Sequence, residues 1–190
     1  MKTTRSTGRS RQLQTSTADL WETIAAEAGR ESVLWIAALR PPGQQERTAV
    51  FSTLTEDRFA LGIETIYEGY LLHYGRPRLF APADGDTALL LGDYLYAHGL
   101  VRIEQVGTVE AVDDLAELIA LCAYLQAEQI AGDGAVWAAT SALLGRGALD
   151  DARNSLRLDN DPKPLERMAR GVAGDGAVMR SLEAHRVRLR

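Results

Sequence analysis

Apolar residues recur at helical spacing along this chain, and no convincing run alternates them with polar ones. From Thr17, "TADLWETIAAEAG" sets Leu20, Trp21, Ile24 and Ala28 on one face behind a threonine cap, with Gly29 as the stop. A second helix, "ESVLWIAAL", ends before "RPPGQQ", where two prolines and a glycine break regular structure. One long apolar-periodic helical region then covers about 46–73 and ends in "IETIYEGYLLH". The Pro- and Gly-rich loop "YGRPRLFAPADGD" follows. Long helices at about 86–105 and 108–130 meet at Gly107, a connection short enough to force an antiparallel hairpin. With Ala, Leu, Glu and Arg dominating, the spacing predicts an all-α helical bundle whose core helices lie within about 46–145.

Three further segments complete the organisation. The opening "MKTTRSTGRSRQLQTST" carries Lys2, Arg5, Arg9 and Arg11 and almost nothing apolar, so residues 1–16 read as a disordered basic tail. Residues 17–190 then form a single domain. "AGDGAVW" at 131–137 and "AGDGAVM" at 173–179 share six residues at an interval of 42, each just before a helical stretch. Two independent helix entries explain this as well as a duplication does. "DDARNSLRLDNDPKP" is polar enough to be a loop.

Composition narrows the function. The 190 residues are 46% apolar, enough for one well-buried domain. A net charge of -5 argues against a nucleic-acid binder, which needs a basic stripe. The lone Cys122, in an apolar helical run, reads as a small hydrophobe in a reducing, cytoplasmic protein. The longest apolar runs, at 33–39 and 118–125, fall well short of a bilayer span.

Candidate chemistry centres on "LLLGDYLYAHGL", residues 89–100. Asp93 falls in helical register with Leu89, Tyr96, Leu100 and Ile103, so the pattern places it on the apolar stripe, where it needs a partner. "DDLAE", Asp113 to Glu117, has metal-like spelling but reads as a solvated acidic face near a helix start. His73, His98 and His185 are too far apart for a local metal motif.

Three pieces, in order, carry a resemblance. "ETIYEGYLLH" (64–73), "YGRP" (74–77) and "GDYLYA" (92–97) are followed at continuous spacing by "LQAEQ" (125–129). Together they resemble the trans-polyprenyl diphosphate synthases, the all-α isoprenoid synthase family that extends allylic diphosphates with isopentenyl diphosphate. The likeness covers about residues 60–145, and its Gly-Asp-Tyr-Leu helix is the most specific piece. It implies a truncated isoprenoid synthase fold. It also implies that Asp93 with Gln126 and Gln129, on adjacent helices, lines a remnant of the substrate cavity, with Arg76 the nearest surviving cation and His73 at the end of the first motif. A buried Asp–Gln network that fixes helix register is the other reading of the same residues.

The departures set the expected function. In the family a pair of aspartates with a third a turn later follows the histidine and holds magnesium; here His73 runs straight into "YGRP". Gln126 replaces the usual glutamate, and "DDARN" lacks the third carboxylate of a second motif. The resemblance therefore implies a chain with no catalytic residues and no metal site of its own, and magnesium only alongside a bound diphosphate. The expectation is a small or regulatory subunit of a heteromeric prenyl diphosphate synthase, a homo- or heterodimer with a catalytic subunit. A homo-oligomer that binds an isoprenoid or prenyl diphosphate, and a divergent magnesium-dependent prenyltransferase, are the alternatives.

Overall fold

The computed structural model describes residues 17–189, so the basic tail assigned to 1–16 lies outside the described residues. The chain folds as an all-α helical bundle, with no sheet among the described residues. Its helices are α1 (Thr17–Glu31), α2 (Val33–Ala38), α3 (Ala60–Tyr74), α4 (Gly85–Val106), α5 (Val109–Ala127), α6 (Asp133–Leu143), α7 (Asp150–Asp159), α8 (Lys163–Ala173) and α9 (Asp175–Arg188). Among the described residues the extended pairing is confined to one isolated antiparallel bridge, Leu39 to Phe80. No helix among them is long and apolar enough to cross a membrane.

Two helices form the axis of the bundle. Residues 62–72 of α3 and 134–143 of α6 are buried without a break, so neither stretch has a face turned to solvent. The remaining helices pack around them: α1 and α4 on α3, and α5, α8 and α9 on α6. The α1 face is the one its spacing predicts, with Leu20, Trp21, Ile24 and Ala28 buried. Gly29 does not stop that helix, which continues to Glu31. Ser32 then restarts the chain as α2, its Oγ accepting the Leu34 N–H at 3.1 Å.

The region 46–73 is only partly helical. Two short 3₁₀ turns, Ser52–Leu54 and Asp57–Phe59, precede α3, which begins at Ala60. A side chain holds the irregular part: Glu64 Oε1 accepts the backbone N–H groups of Val50 and Ser52, each at 3.0 Å. Donors with a side-chain acceptor do not need a helix to satisfy them, which is why periodicity overestimated the element.

The α3–α4 contact is built on glycine. Gly62 and Gly69 of α3 meet Gly99 and Gly92 of the antiparallel α4. A Cβ on Gly69 would lie 2.8 Å from the Gly92 carbonyl oxygen, and one on Gly62 would lie 3.3 Å from that of Gly99. The buried stripe of α4 is therefore Leu91, Gly92, Leu95, Gly99 and Ile103. That stripe corrects the register expected for Asp93. Leu89 is 52% exposed and Asp93 lies in solvent, because glycines, which carry no hydropathy signal, mark the closest approach.

Two acidic segments are also corrected. "DDARNSLRLD" is helix α7, not a loop; Leu149, Ala152 and Leu156 pin it to the core. Arg153 of α7 is buried and reaches Asp114 of α5, Nη2 to Oδ1 at 3.0 Å, while Asp114 Oδ2 accepts the Gly145 N–H at 2.9 Å. Asp114 is thus a buried tether rather than part of a solvated face, and Asp113 is the member left exposed. The segment beyond 146 joins the same core through Leu165, Ala169 and Val178. Cys122 is buried and unpaired, and burial pushes its thiol pKa up, so it packs as a small hydrophobe.

Candidate functional site

Four aromatic side chains fill the space where α3, α6 and α9 meet. Phe51, Tyr67, Tyr70 and Trp137 are fully buried, with Tyr67 and Tyr70 ring centroids 5.0 and 5.6 Å from that of Trp137. Polar atoms at the edge of this block form one network. His185 of α9 lies between Tyr67, whose hydroxyl is 3.0 Å from Nδ1, and Asp133 of α6, whose Oδ2 is 3.0 Å from Nε2. The Tyr70 hydroxyl donates to the same Oδ2 at 2.5 Å. Gln126 of α5 donates its amide to the Tyr70 oxygen at 2.8 Å and to Asp133 at 3.3 Å.

Local structure aims Asp133 into this network. Gly132 enters α6 at φ 133°, a backbone that side-chain-bearing residues rarely adopt, and Asp133 becomes the first helical residue. The second copy of the hexapeptide repeat works the same way: Gly174 has φ 83° and Asp175 begins α9. Their environments differ. Asp133 is enclosed, whereas Asp175 is exposed and meets Arg170 at 3.2 Å.

The electrostatics bear on the carboxyl and the two phenols of this network. Burial pushes the Asp133 carboxyl up, but the hydrogen bond and charge of His185, with the Tyr70 hydroxyl and the Gly134 N–H, hold it below the usual carboxylate range. Burial raises both tyrosines, Tyr70 further because Asp133 lies beside it, so both stay protonated. His185 faces Asp133 with Nε2 and the Tyr67 hydroxyl with Nδ1. Both ring nitrogens are then engaged. The arrangement fastens α9 to α3 and α6. A concavity of about 380 Å³, lined by Gly132, Asp133, Glu166, Leu182, His185 and Arg186, opens onto it.

The residues singled out from the sequence do not gather here. Of Asp93, Gln126, Gln129, Arg76 and His73, Gln126 alone joins the network. Gln129 is exposed, with φ 56°, and lies in the turn that ends α5. Asp93 lies on the outer side of α4, 71% exposed, its Oδ1 3.3 Å from His73 Nε2. No Asp93–Gln126–Gln129 cluster forms. His73 stacks on Tyr96, centroids 5.1 Å apart, over the space Gly92 leaves open. Burial lowers its pKa and Asp93 opposes that. Arg76 is exposed and bound to the C-terminal helix, its Nη2 donating to the Val187 carbonyl at 2.9 Å. The three histidines remain separate, paired with Asp93, Glu27 and Asp133 respectively. Among the described residues no group of three or more His, Cys, Asp or Glu could hold a metal ion.

A second buried cluster passed unnoticed in the sequence. Arg78, in the loop after α3, is fully buried between Glu64 and Glu68: Nη1 lies 2.5 Å from Glu64 Oε2, and Nε lies 2.9 Å from Glu68 Oε2. Glu68 Oε1 accepts the N–H groups of Arg78 and Leu79, both at 2.7 Å. The guanidinium also lies 4.5 Å from the Trp21 ring centroid and 4.9 Å from that of Tyr67. The chain leaving α3 is clamped down at this point.

No protein-family model matches the chain, and neither a curated protein nor a solved structure matches it.

Proposed function

We propose that the chain is a non-catalytic, polyprenyl-synthase-like subunit that works in the cytoplasm as the small or regulatory partner of a catalytic prenyl diphosphate synthase. The observation that carries this reading is the outward side of the α4–α5 hairpin. On α4, Leu90, Ala97 and Val101 share one face at helical spacing, with Leu90 60% and Val101 51% exposed. On α5, Ala116, Ala120, Tyr124 and Ala127 do the same, with Tyr124 41% exposed. Small residues interleaved with large ones on a pair of rigid helices suit helix-on-helix packing against a second subunit.

Two other features support the subunit reading over its alternatives. The segment after His73, where the resembling family places its magnesium-binding aspartates, is the Arg78 clamp, and its two carboxylates are fully occupied by a guanidinium and backbone N–H groups. The interior between α3 and α6, where a bundle would house a prenyl chain, is occupied by the Phe51, Tyr67, Tyr70 and Trp137 rings. The test is to co-express the chain with its host's full-length polyprenyl diphosphate synthase. Gel filtration and a magnesium prenyl-transfer assay then follow, alone and mixed. The expected result is a stable complex and an altered rate or product length in the mixture, both lost with Leu90→Glu/Val101→Glu. Product from the chain alone, or silence in both arms, refutes the proposal.

A further inference from the structure

Helix α9 is flanked by two concavities, and the larger lies on the side opposite the Asp133 network. Its volume is about 630 Å³, within the roughly 300–1,000 Å³ of small-molecule sites. Helical spacing sets two rows of α9 along it: Met179, Glu183 and Val187 in one, Arg180, Ala184 and Arg188 in the other. Glu46 and Arg76, from the loops before and after α3, form the facing wall.

The lining is chemically two-sided. Met179 is 61% and Val187 44% exposed, so the floor offers apolar side chains that no described residue covers, and an unbranched thioether adapts readily to a chain-like ligand. Arg76, Arg180 and Arg188 line the same space, and the two carboxylates among them are already engaged. Glu46 Oε2 accepts from Arg188 Nη1 at 2.8 Å, and Glu183 accepts from Arg186 at 2.7 and 2.9 Å. That hydrogen bond from Arg188, with the charges of Arg76 and Arg40, holds the Glu46 carboxyl below its usual range. Arg188 itself is nine-tenths buried, at 9% side-chain exposure, yet its Nε–H finds no acceptor among the described residues. The wall's three guanidiniums outnumber its two carboxylates, and that balance, with one donor left over, suits an anionic partner.

We infer that this groove binds an amphipathic phosphate, a single apolar chain ending in a phosphate monoester, with the chain along Met179, Ala184 and Val187 and the headgroup on Arg76, Arg180 and Arg188. Guanidinium forks match phosphate oxygens two at a time, so several around one cavity favour a dianion over a monoanion. The uncovered apolar floor selects a ligand with a tail over inorganic phosphate. The site shares no residue with the α4–α5 face, so it stands whether or not the chain is a synthase subunit.

Isothermal titration of the full chain with n-octyl phosphate, inorganic phosphate and octanol tests it. Octyl phosphate is expected to bind at least tenfold more tightly than either half-ligand. Arg180→Glu and Met179→Asp, both at exposed positions, are each expected to weaken it at least tenfold with circular dichroism and Tm unchanged. Equal affinity for octyl phosphate and either half-ligand overturns the inference, as do two folded variants that bind like the parent. Sedimentation with phosphatidic acid vesicles separates the sources. Octyl phosphate binding together with vesicle binding supports a lipid headgroup, and octyl phosphate binding alone supports a free phosphate ester. Vesicle binding without octyl phosphate binding overturns the inference, because the ligand is then a bilayer surface.

Discussion

Replacing Arg78 by methionine keeps the bulk of the side chain and removes its charge from between Glu64 and Glu68, both of them 0% exposed. The guanidinium makes hydrogen bonds to both carboxylates, to the Thr48 carbonyl at 3.0 Å and to the Glu64 carbonyl at 3.2 Å. Taking one partner from a buried ion pair costs about 3–5 kcal/mol, because the other is left charged and unsolvated. Here two carboxylates are stranded by one substitution, so the upper half of that range applies. At about 2–4 °C per kcal/mol for a chain of this size, Tm is expected to fall by roughly 8–20 °C. Urea unfolding followed by far-ultraviolet circular dichroism and by tryptophan fluorescence measures it, since Trp21 lies against the guanidinium and reports locally. The control is Arg78→Met/Glu64→Gln/Glu68→Gln. Glutamine Oε1 can still accept the N–H groups of Val50, Ser52, Arg78 and Leu79, so the triple variant is expected to recover much of the loss. A cost below about 1 kcal/mol for Arg78→Met, or a triple variant no more stable than the single one, would refute the reasoning.

Three further outcomes follow from the same geometry. Gly69→Ala drives a methyl to 2.8 Å from the Gly92 carbonyl; the overpacking is expected to outweigh the gain in helix propensity and destabilise by about 1–3 kcal/mol in thermal or chemical melts. The folded-state pKa of Asp133 is lowered, so its contribution to stability is fully present above its unfolded value of about 3.9 and is lost as pH falls through the folded value. Asp133→Asn is expected to remove that part of the acid slope, and denaturant melts between pH 7 and pH 3 that keep the full slope would exclude Asp133 as its source. Asp93→Ala removes an exposed side chain from the outer face of α4 and is expected to change stability by no more than about 0.5 kcal/mol; a loss of several kcal/mol would restore Asp93 to the interior.

Which parts of this molecule could be read from its sequence follows from how local each determinant is. Helical spacing is a property of adjacent turns, so the all-α class, the buried face of α1, the α4–α5 hairpin and its joint at Gly107 could all be recognised from the chain alone. The hexapeptide "AGDGAV" likewise marks a helix entry at both copies, because glycine at positive φ ahead of a first-turn aspartate is local backbone chemistry. Which face of α4 turns inward was not local. It depends on Gly62 and Gly69, some thirty residues upstream, letting α3 approach the glycines of α4; a hydropathy reading centred on leucine and tyrosine therefore turned Asp93 inward. The two polar clusters lay beyond sequence reach for the same reason. His185 and Asp133 are separated by 52 positions, and Tyr67 and His185 by 118. Arg78 looks in sequence like any loop arginine beside Arg76. Only packing places Arg78 where water is absent, and the absence of water makes its two carboxylates obligatory.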